Sequence, residues 1–510
     1  MINYPSKEAT EKLNQQSSGP SLTGDLNQNI SLFKQLFKDD DTFITRSFVN
    51  KYNDSLQFCL LYSESVVNAG IMNDSILKPL MMSKIEGMEN NESGKLDTLL
   101  SSIVIVNQAE KSNDIHRLIE YLTYGDSVLL VNGESEALIL NSKSIETRGL
   151  TEPSGEQILS GPRDGFNESI MTNLSLVRRR VRSNNLKMKY YTFGRQTNTK
   201  ACICYIDGIA DNNILNDLYN RLSKIDIDGV LDTNYIKEII KDNKWSLFPT
   251  IGITERPDVV VGKLLEGRIA IFVDGTPVVL TLPYLFIENF QSNEDYYIMY
   301  FYTSFYRLIR LFGFFLTVMT PAMYVAMGAY HQEMLPAQLF ISIAAARQSV
   351  PLPAAIEAFV FLIVFDILKE TGIRMPSNMG QALSIVGALV IGQAAVQAKL
   401  VAAPMIIIVS ITAITSLLVP KINAPAIYIR YGLMILASGF GYFGLTIGAC
   451  AVLIHTLSIK SFGVPYLNPV DKLPFNTQDL KDTWVRAPWW VMKTRGAASP
   501  NKNRMNHKQG

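Results

Sequence analysis

Between Leu311 and Tyr330 the chain runs for twenty residues, LFGFFLTVMTPAMYVAMGAY, without one charged side chain. A helix of about 20 apolar residues covers the ~30 Å hydrocarbon core of a bilayer, so this segment has the length to cross a membrane. Counting its flanks it runs 308–330, and comparable apolar stretches follow at 353–369, 380–398, 402–419 and 431–456. The residues ahead of it are polar and mixed in charge. The mean hydropathy of +0.12 therefore averages two differently solvated bodies.

Charge orients them. From Leu457 to Gly510 nine Lys or Arg stand against Asp471, Asp479 and Asp482, and short segments rich in positive charge stay on the cytoplasmic side. Arg307 and Arg310 precede the first span, and the first thirty residues hold no apolar signal segment, so the front body is expected inside as well. Both ends inside require an even number of crossings. Either 335–353 dips into the membrane or the pair of spans around Lys399 forms a re-entrant hairpin. A net charge of +1 carries no footprint for nucleic acid. Cys59, Cys202, Cys204 and Cys450 read as free thiols in a reducing compartment.

The pattern predicts an α/β cytoplasmic region of two small α/β subdomains joined by helices, followed by an all-α polytopic membrane domain. Residues 1–30, rich in Ser, Gln, Asn and Gly, read as a disordered tail. A first subdomain is expected over 31–145, with strands in Ser127 to Asn141. Linker helices follow over 146–185 and a second subdomain over 186–300. There, Asp274 and Gly275 between apolar runs give the strongest short hairpin signal. The membrane domain spans 305–457 with four to six segments, and 458–510 reads as a basic cytoplasmic tail.

No enzyme signature stands out. VVVGKLLEG around Gly262 and Lys263 lacks the flanking residues of a phosphate-binding loop. His116, His331, His455 and His507 have no metal-ligand spacing, so neither metal nor cofactor is expected. Acidic residues inside spans are the functional candidates, because burying them in lipid is costly. Glu357 and Asp366, nine positions apart, turn to opposite faces of a helix, and Phe361 and Val364 share the Glu357 face. One reading has Glu357 paired with Arg347 and Asp366 with Lys369. The other has one of the two carboxylates selecting cations in a pore built from several copies of the helix, with Glu357, Phe361, Val364 and Asp366 as the lining candidates. Small residues mark close packing or subunit contacts: Ser384, Ala388 and Gly392 in one span, and Gly441, Gly444 and Gly448 in another. Pro321 interrupts the first span as a kink or hinge. The run RRRVR, with Arg178, Arg179, Arg180 and Arg182, reads as a solvated helix face or a contact for anionic lipid or partner.

Several motifs together resemble the A-subunit family of bacterial spore germinant receptors, the GerA type. They are Arg148, Glu152 and Pro153; GPRDGFNES over 161–169; FPTIGITERPDVVVGKLLEGRIAIFVDGTP over 248–277; PLPAAIEAFVFLIVFDILKETGIRMP over 351–376; and the span 380–397. The resemblance implies a multi-pass protein of the spore inner membrane, with both termini on the core side. It implies work beside a transporter-like B subunit that holds the nutrient and a lipoprotein C subunit. It also implies a homo-oligomer, a ring of five, acting as a nutrient-gated ion channel. Relatives that serve dipicolinate and ion release share the motifs, and a non-conducting scaffold of the receptor is the remaining alternative.

Overall fold

The computed structural model describes residues 22–84, 95–143, 152–153, 155–156, 158, 160–374, 387, 390–467, 482–492 and 495. The described residues divide into two compact units, one holding those up to Ile240 with Gly252–Leu282, the other holding Lys241–Ile251 and those from Pro283 onward.

In the first unit, helix α1 (Leu26–Leu36) is capped by the Asp25 carboxylate, which accepts from the Asn27 N–H. Leu22, Leu26 and Phe33 are buried, so the expected disordered tail ends earlier than residue 30, where an amphipathic helix finds a core. Strands β1 (Phe43–Asn50), β2 (Asn53–Ser63), β3 (Ala109–Ser112), β4 (Ser127–Val131) and β5 (Ala137–Leu140) form one antiparallel sheet in the order β1-β2-β4-β5-β3. Successive side chains of β4 and β5 feed opposite faces. Leu129, Val131, Leu138 and Leu140 pack with Ile76, Leu80 and Leu99. Val128, Leu130, Ala137 and Ile139 pack with α1 and with α2 (Ile115–Tyr124). Helices on both faces explain why these strands read as unbroken apolar runs rather than alternating ones.

Helix α3 (Ile170–Arg180) leads into a second antiparallel sheet of β6 (Leu186–Phe193), β7 (Thr199–Ile206), β8 (Gly252–Thr254), β9 (Ile269–Val273) and β10 (Val279–Leu282), in the order β6-β7-β9-β10-β8. Each sheet thus places its own strands in the order first, second, fourth, fifth, third, and the two subdomains repeat one topology. The expected hairpin is β9–β10, with Leu280 opposite Ile271. Its turn residue Gly275 has φ of 87°, and Asp274 accepts the Ile170 N–H at the start of α3.

The second unit is helical. Helix α4 (Tyr300–Ala329) runs from an end we term proximal to a distal end, and Pro321 lies buried within it without ending it. Helix α5 (Ala337–Arg347) follows; its Arg347 guanidinium stands 3.5 Å from where a Cβ on Gly328 would lie. Helix α6 (Ala354–Arg374) then descends, and a helical segment over 390–397 precedes α7 (Ala403–Leu417), whose end meets α4 through Thr317 and Thr415 hydroxyls 2.8 Å apart. The final helix, α8 (Asn423–Ser458), starts near Gln291, whose carbonyl accepts from Lys421 (3.1 Å).

Helix α8 corrects the expectation of a single span over 431–456. Gly441 has φ of 59° and ψ of −139°, which no helix contains. A Cβ on Gly448 would come within 2.5 Å of Leu433 Cδ2, although fifteen residues of straight helix cover about 22 Å. The helix therefore folds back into two antiparallel arms, 423–440 and 442–458, closed at the distal end, where the Tyr330 hydroxyl donates to the Ser438 carbonyl (2.7 Å). The returning arm ends beside Ser246, whose hydroxyl is 3.2 Å from His455 Nε2. A short hairpin, β11 (Lys460–Ser461) with β12 (Val464–Pro465), follows. Residues 460–467 and 482–492 thus pack on their own unit instead of trailing as a tail: Ser461 donates to the Thr250 carbonyl (2.7 Å) and the Phe286 N–H donates to Tyr466 (2.9 Å).

Candidate functional site

Helix α6 carries both candidate carboxylates, Glu357 and Asp366, and both point into their own unit. Glu357 has no exposed area, and one of its oxygens accepts the Ala402 N–H (2.6 Å) just ahead of α7. A carboxylate there satisfies a helix-start donor and complements the helix dipole. Asp366 accepts from Arg430 Nη2 (2.6 Å) and from the Tyr431 hydroxyl (2.8 Å) on the first arm of α8. Neither expected pairing is the one observed. Lys369 instead donates to the Ser416 hydroxyl (3.2 Å). Glu357, expected on a pore wall, is instead enclosed within its own unit. Phe361 packs on the apolar core, and Val364 is half-buried. Turned outward is an apolar row of Ile356, Val360, Ile363 and Ile367, each 43–58 % exposed. Helix α5 buries none of its residues.

Of the small residues, Gly441, Gly444 and Gly448 serve the fold-back of α8, where any side chain would strike Tyr330, His331, Leu433 or Leu436. Gly392 lies 3.8 Å from Ile406 of α7 as counted from a built Cβ, so it faces a helix of its own unit. Ser384 and Ala388 lie outside the described residues.

The proximal end holds a polar clasp that the sequence pattern did not reveal. Arg307, 2 % exposed, donates from Nε to Asp295 (2.9 Å) and from Nη1 to the carboxylate and carbonyl of Asp482 (3.0 and 3.2 Å). Arg310 donates to the same Asp295 carboxylate at 3.0 Å. The Tyr296 hydroxyl donates to Asp482 (2.8 Å), and burial pushes its pKa up, which keeps it a donor. Arg486 donates to the Ile298 carbonyl (2.8 Å), and its N–H bonds the Ser304 hydroxyl (3.1 Å). Residues 482–492 are thereby strapped across the first turns of α4. Arg307 and Arg310 looked like topology markers; their acidic partners, 12 and 175 positions from Arg307, are what give them a structural role.

In the first unit the arginine run is largely architecture. Arg178, 1 % exposed, donates to Asp40 Oδ2 (2.5 Å), to the Thr42 hydroxyl (3.0 Å) and to the Leu186 carbonyl (3.1 Å), tying the approach to β1 to the start of β6. That burial corrects its assignment to lipid or partner contact. Arg180 pairs with Asp164, Arg182 stacks 3.8 Å over Tyr124, and Arg179 is half-buried. The Gly- and Pro-rich motif is held similarly. Arg256, 1 % exposed, donates to the carbonyls of Glu156 (3.2 Å) and Pro162 (2.7 Å) while paired with Asp258 (2.8 Å).

Motif residues thus hold structure in both units, and comparison with known proteins covers most of the chain. The family model described as Bacillus/Clostridium GerA spore germination protein matches residues 31–498. The chain belongs to the GerA family. Among its relatives, spore germination protein KA of Bacillus subtilis (strain 168) is 40% identical over 478 residues, 93% of this chain and 86% of that protein. Spore germination protein B1 of the same strain is 35% identical over 477 residues, 93% and 97% of the two chains. Spore germination protein GerLA of Bacillus cereus is 36% identical over 407 residues, 79% and 82%. Among solved structures, the N-terminal domain of the A subunit of the Bacillus megaterium spore germinant receptor GerK3 aligns with 32% identity and a TM-score of 0.41, covering 53% of this chain and 99% of that one. Among the described residues of this GerA-family chain, two helical stretches, Tyr300–Ala329 and Pro420–Ser458, are long and apolar enough to cross a membrane.

Proposed function

We propose that this chain is the A subunit of a nutrient germinant receptor in the spore inner membrane, and that its copies gather around a shared axis to pass ions when a nutrient binds. The observation that carries the reading is the orientation of α6. Both carboxylates tether it inward, to Ala402 and to Arg430, and that fixes its rotation so that Ile356, Val360, Ile363 and Ile367 form the outward row. One subunit cannot cover that row together with the unburied α5. A ring of copies, five by the family resemblance, would cover part of it and turn the rest into an apolar constriction that conducts when wetted. Glu357 and Asp366 then act as tethers setting the wall, not as its lining.

Unit two supplies a consistent topology. In this reading α4 runs from the proximal to the distal end, α6 and α7 each return, and the two arms of α8 go out and back, so that with one outward crossing between α6 and α7 both ends of the unit lie on one side. The fold-back at Gly441 adds a crossing to the single span expected over 431–456. In this reading the nutrient is held by a transporter-like B subunit, a lipoprotein C subunit completes the complex, and no step calls for enzyme chemistry.

Ion release from spores, or conductance in planar bilayers, tests the proposal. Val360→Asn and Ile363→Asn place a polar side chain in the outward row and are expected to raise ion release in the absence of nutrient. Wild-type release from both variants at normal protein level would remove α6 from the conduit.

A further inference from the structure

The first four turns of α4 are amphipathic in the opposite sense to a helix facing water. Their inner face is polar, with Thr303, Ser304 and Arg307 bonded to Asp295 and the strap. Their outer face is aromatic: Phe301, Phe305 and Phe312 are 67, 62 and 63 % exposed. A helix in water shows its polar side and buries its apolar one, so the reversed arrangement suits an apolar exterior. Phe301, Phe305, Leu308 and Phe312 follow one another at four- and three-residue spacing, so they form one continuous outward row on the proximal turns.

Two features say what lies against the proximal part of the row. At 30 residues α4 is about 45 Å long, which matches the ~40–45 Å of a bilayer with its headgroup layers rather than the ~30 Å core alone. The proximal turns also gather amphipathic rings. Trp489, 45 % exposed, lies 6.0 Å from Tyr296 by ring centroids, and Trp490, 67 % exposed, lies 6.0 Å from Tyr300. Trp and Tyr favour the level where hydrocarbon gives way to headgroups, because each has an apolar body and a polar tip. Lys421 at the same end and Arg495, three positions beyond the strap, add positive charge suited to anionic headgroups.

Resting on the membrane reading above, we infer that residues 482–492 and the start of α4 form one ledge seated in the headgroup layer of an anionic bilayer, with Trp489 and Trp490 as its anchors. The strap is then held between α4 on one side and lipid on the other.

The test uses full-length protein in vesicles of phosphatidylcholine and phosphatidylglycerol carrying bromine either near the headgroup or deep in the acyl chain. With Trp245→Phe and Trp484→Phe, emission comes from Trp489 and Trp490 alone. Shallow bromine is expected to quench it at least about twofold more than deep bromine. A second variant lacks all four tryptophans and carries Phe312→Trp, which reports whether the bundle surface itself meets lipid. Quenching of that probe with none at Trp489 and Trp490, or stronger quenching of Trp489 and Trp490 by the deep lipid, overturns the ledge while leaving the membrane reading in place. Absence of quenching at both positions overturns the membrane reading, and the ledge with it.

Discussion

The two units each bury an arginine against an aspartate, Arg178 with Asp40 and Arg307 with Asp295, yet they treat their outer surfaces in opposite ways. In the first unit, helices cover both faces of the first sheet and the apolar residues of β4 and β5 are enclosed. In the second, phenylalanines and isoleucines stand outermost while the ion pairs lie inside. The same demand, that a buried charge find a partner, is met in both; what differs, on the proposed membrane reading, is the medium against which each exterior is stable.

The largest effect expected from testing that contrast is at Arg178. Arg178→Ala leaves Asp40 buried without its cation and should cost about 3–5 kcal/mol, read as a fall in the thermal midpoint of the detergent-solubilised protein. Arg178→Lys should recover only part, since one ammonium does not reproduce a planar fork bonding Asp40, Thr42 and Leu186 together. An unshifted midpoint for both variants would mean that the subdomains are joined by something else. Next is Gly441→Val, where a side chain at positive φ beside Tyr330 and His331 should cost roughly 1–3 kcal/mol. Gly439→Ala, with open space around it, is the control, and equal behaviour of the two would deny the tight fold-back. The smallest pair sharpens the comparison of exteriors. Leu231→Ser on the first unit, at a side chain 69 % exposed, should change stability by less than about 0.5 kcal/mol. Phe305→Ser should lose about 1 kcal/mol in vesicles, where the ring is read as removed from water. Equal values would erase the distinction between the two surfaces.

What the sequence made legible was local. Asp274 and Gly275 between apolar runs announce β9–β10 because a tight hairpin is specified by its turn, and 127–141 announces β4–β5 for the same reason. The shared strand order of the two subdomains was hidden, since it depends on pairings such as Phe58 with Val131 that span many residues. RRRVR reads as surface until Asp40, 138 positions away, is brought to Arg178. Asp366 reads as a partner of nearby Lys369, whereas Arg430 is 64 positions off. The break at Gly441 escaped notice because hydropathy is continuous across it and Gly444 and Gly448 carry a common helix-packing spacing. Nothing in composition separates a long helix from two arms folded together.

That U-turn has a mechanical corollary. A bend made by one residue leaves no slack, and the end of α4 rests on it through Tyr330 and His331. Any displacement of the end of α4 would therefore meet both limbs of the final hairpin together, and the limb carrying Arg430 is the one bonded to Asp366 of α6.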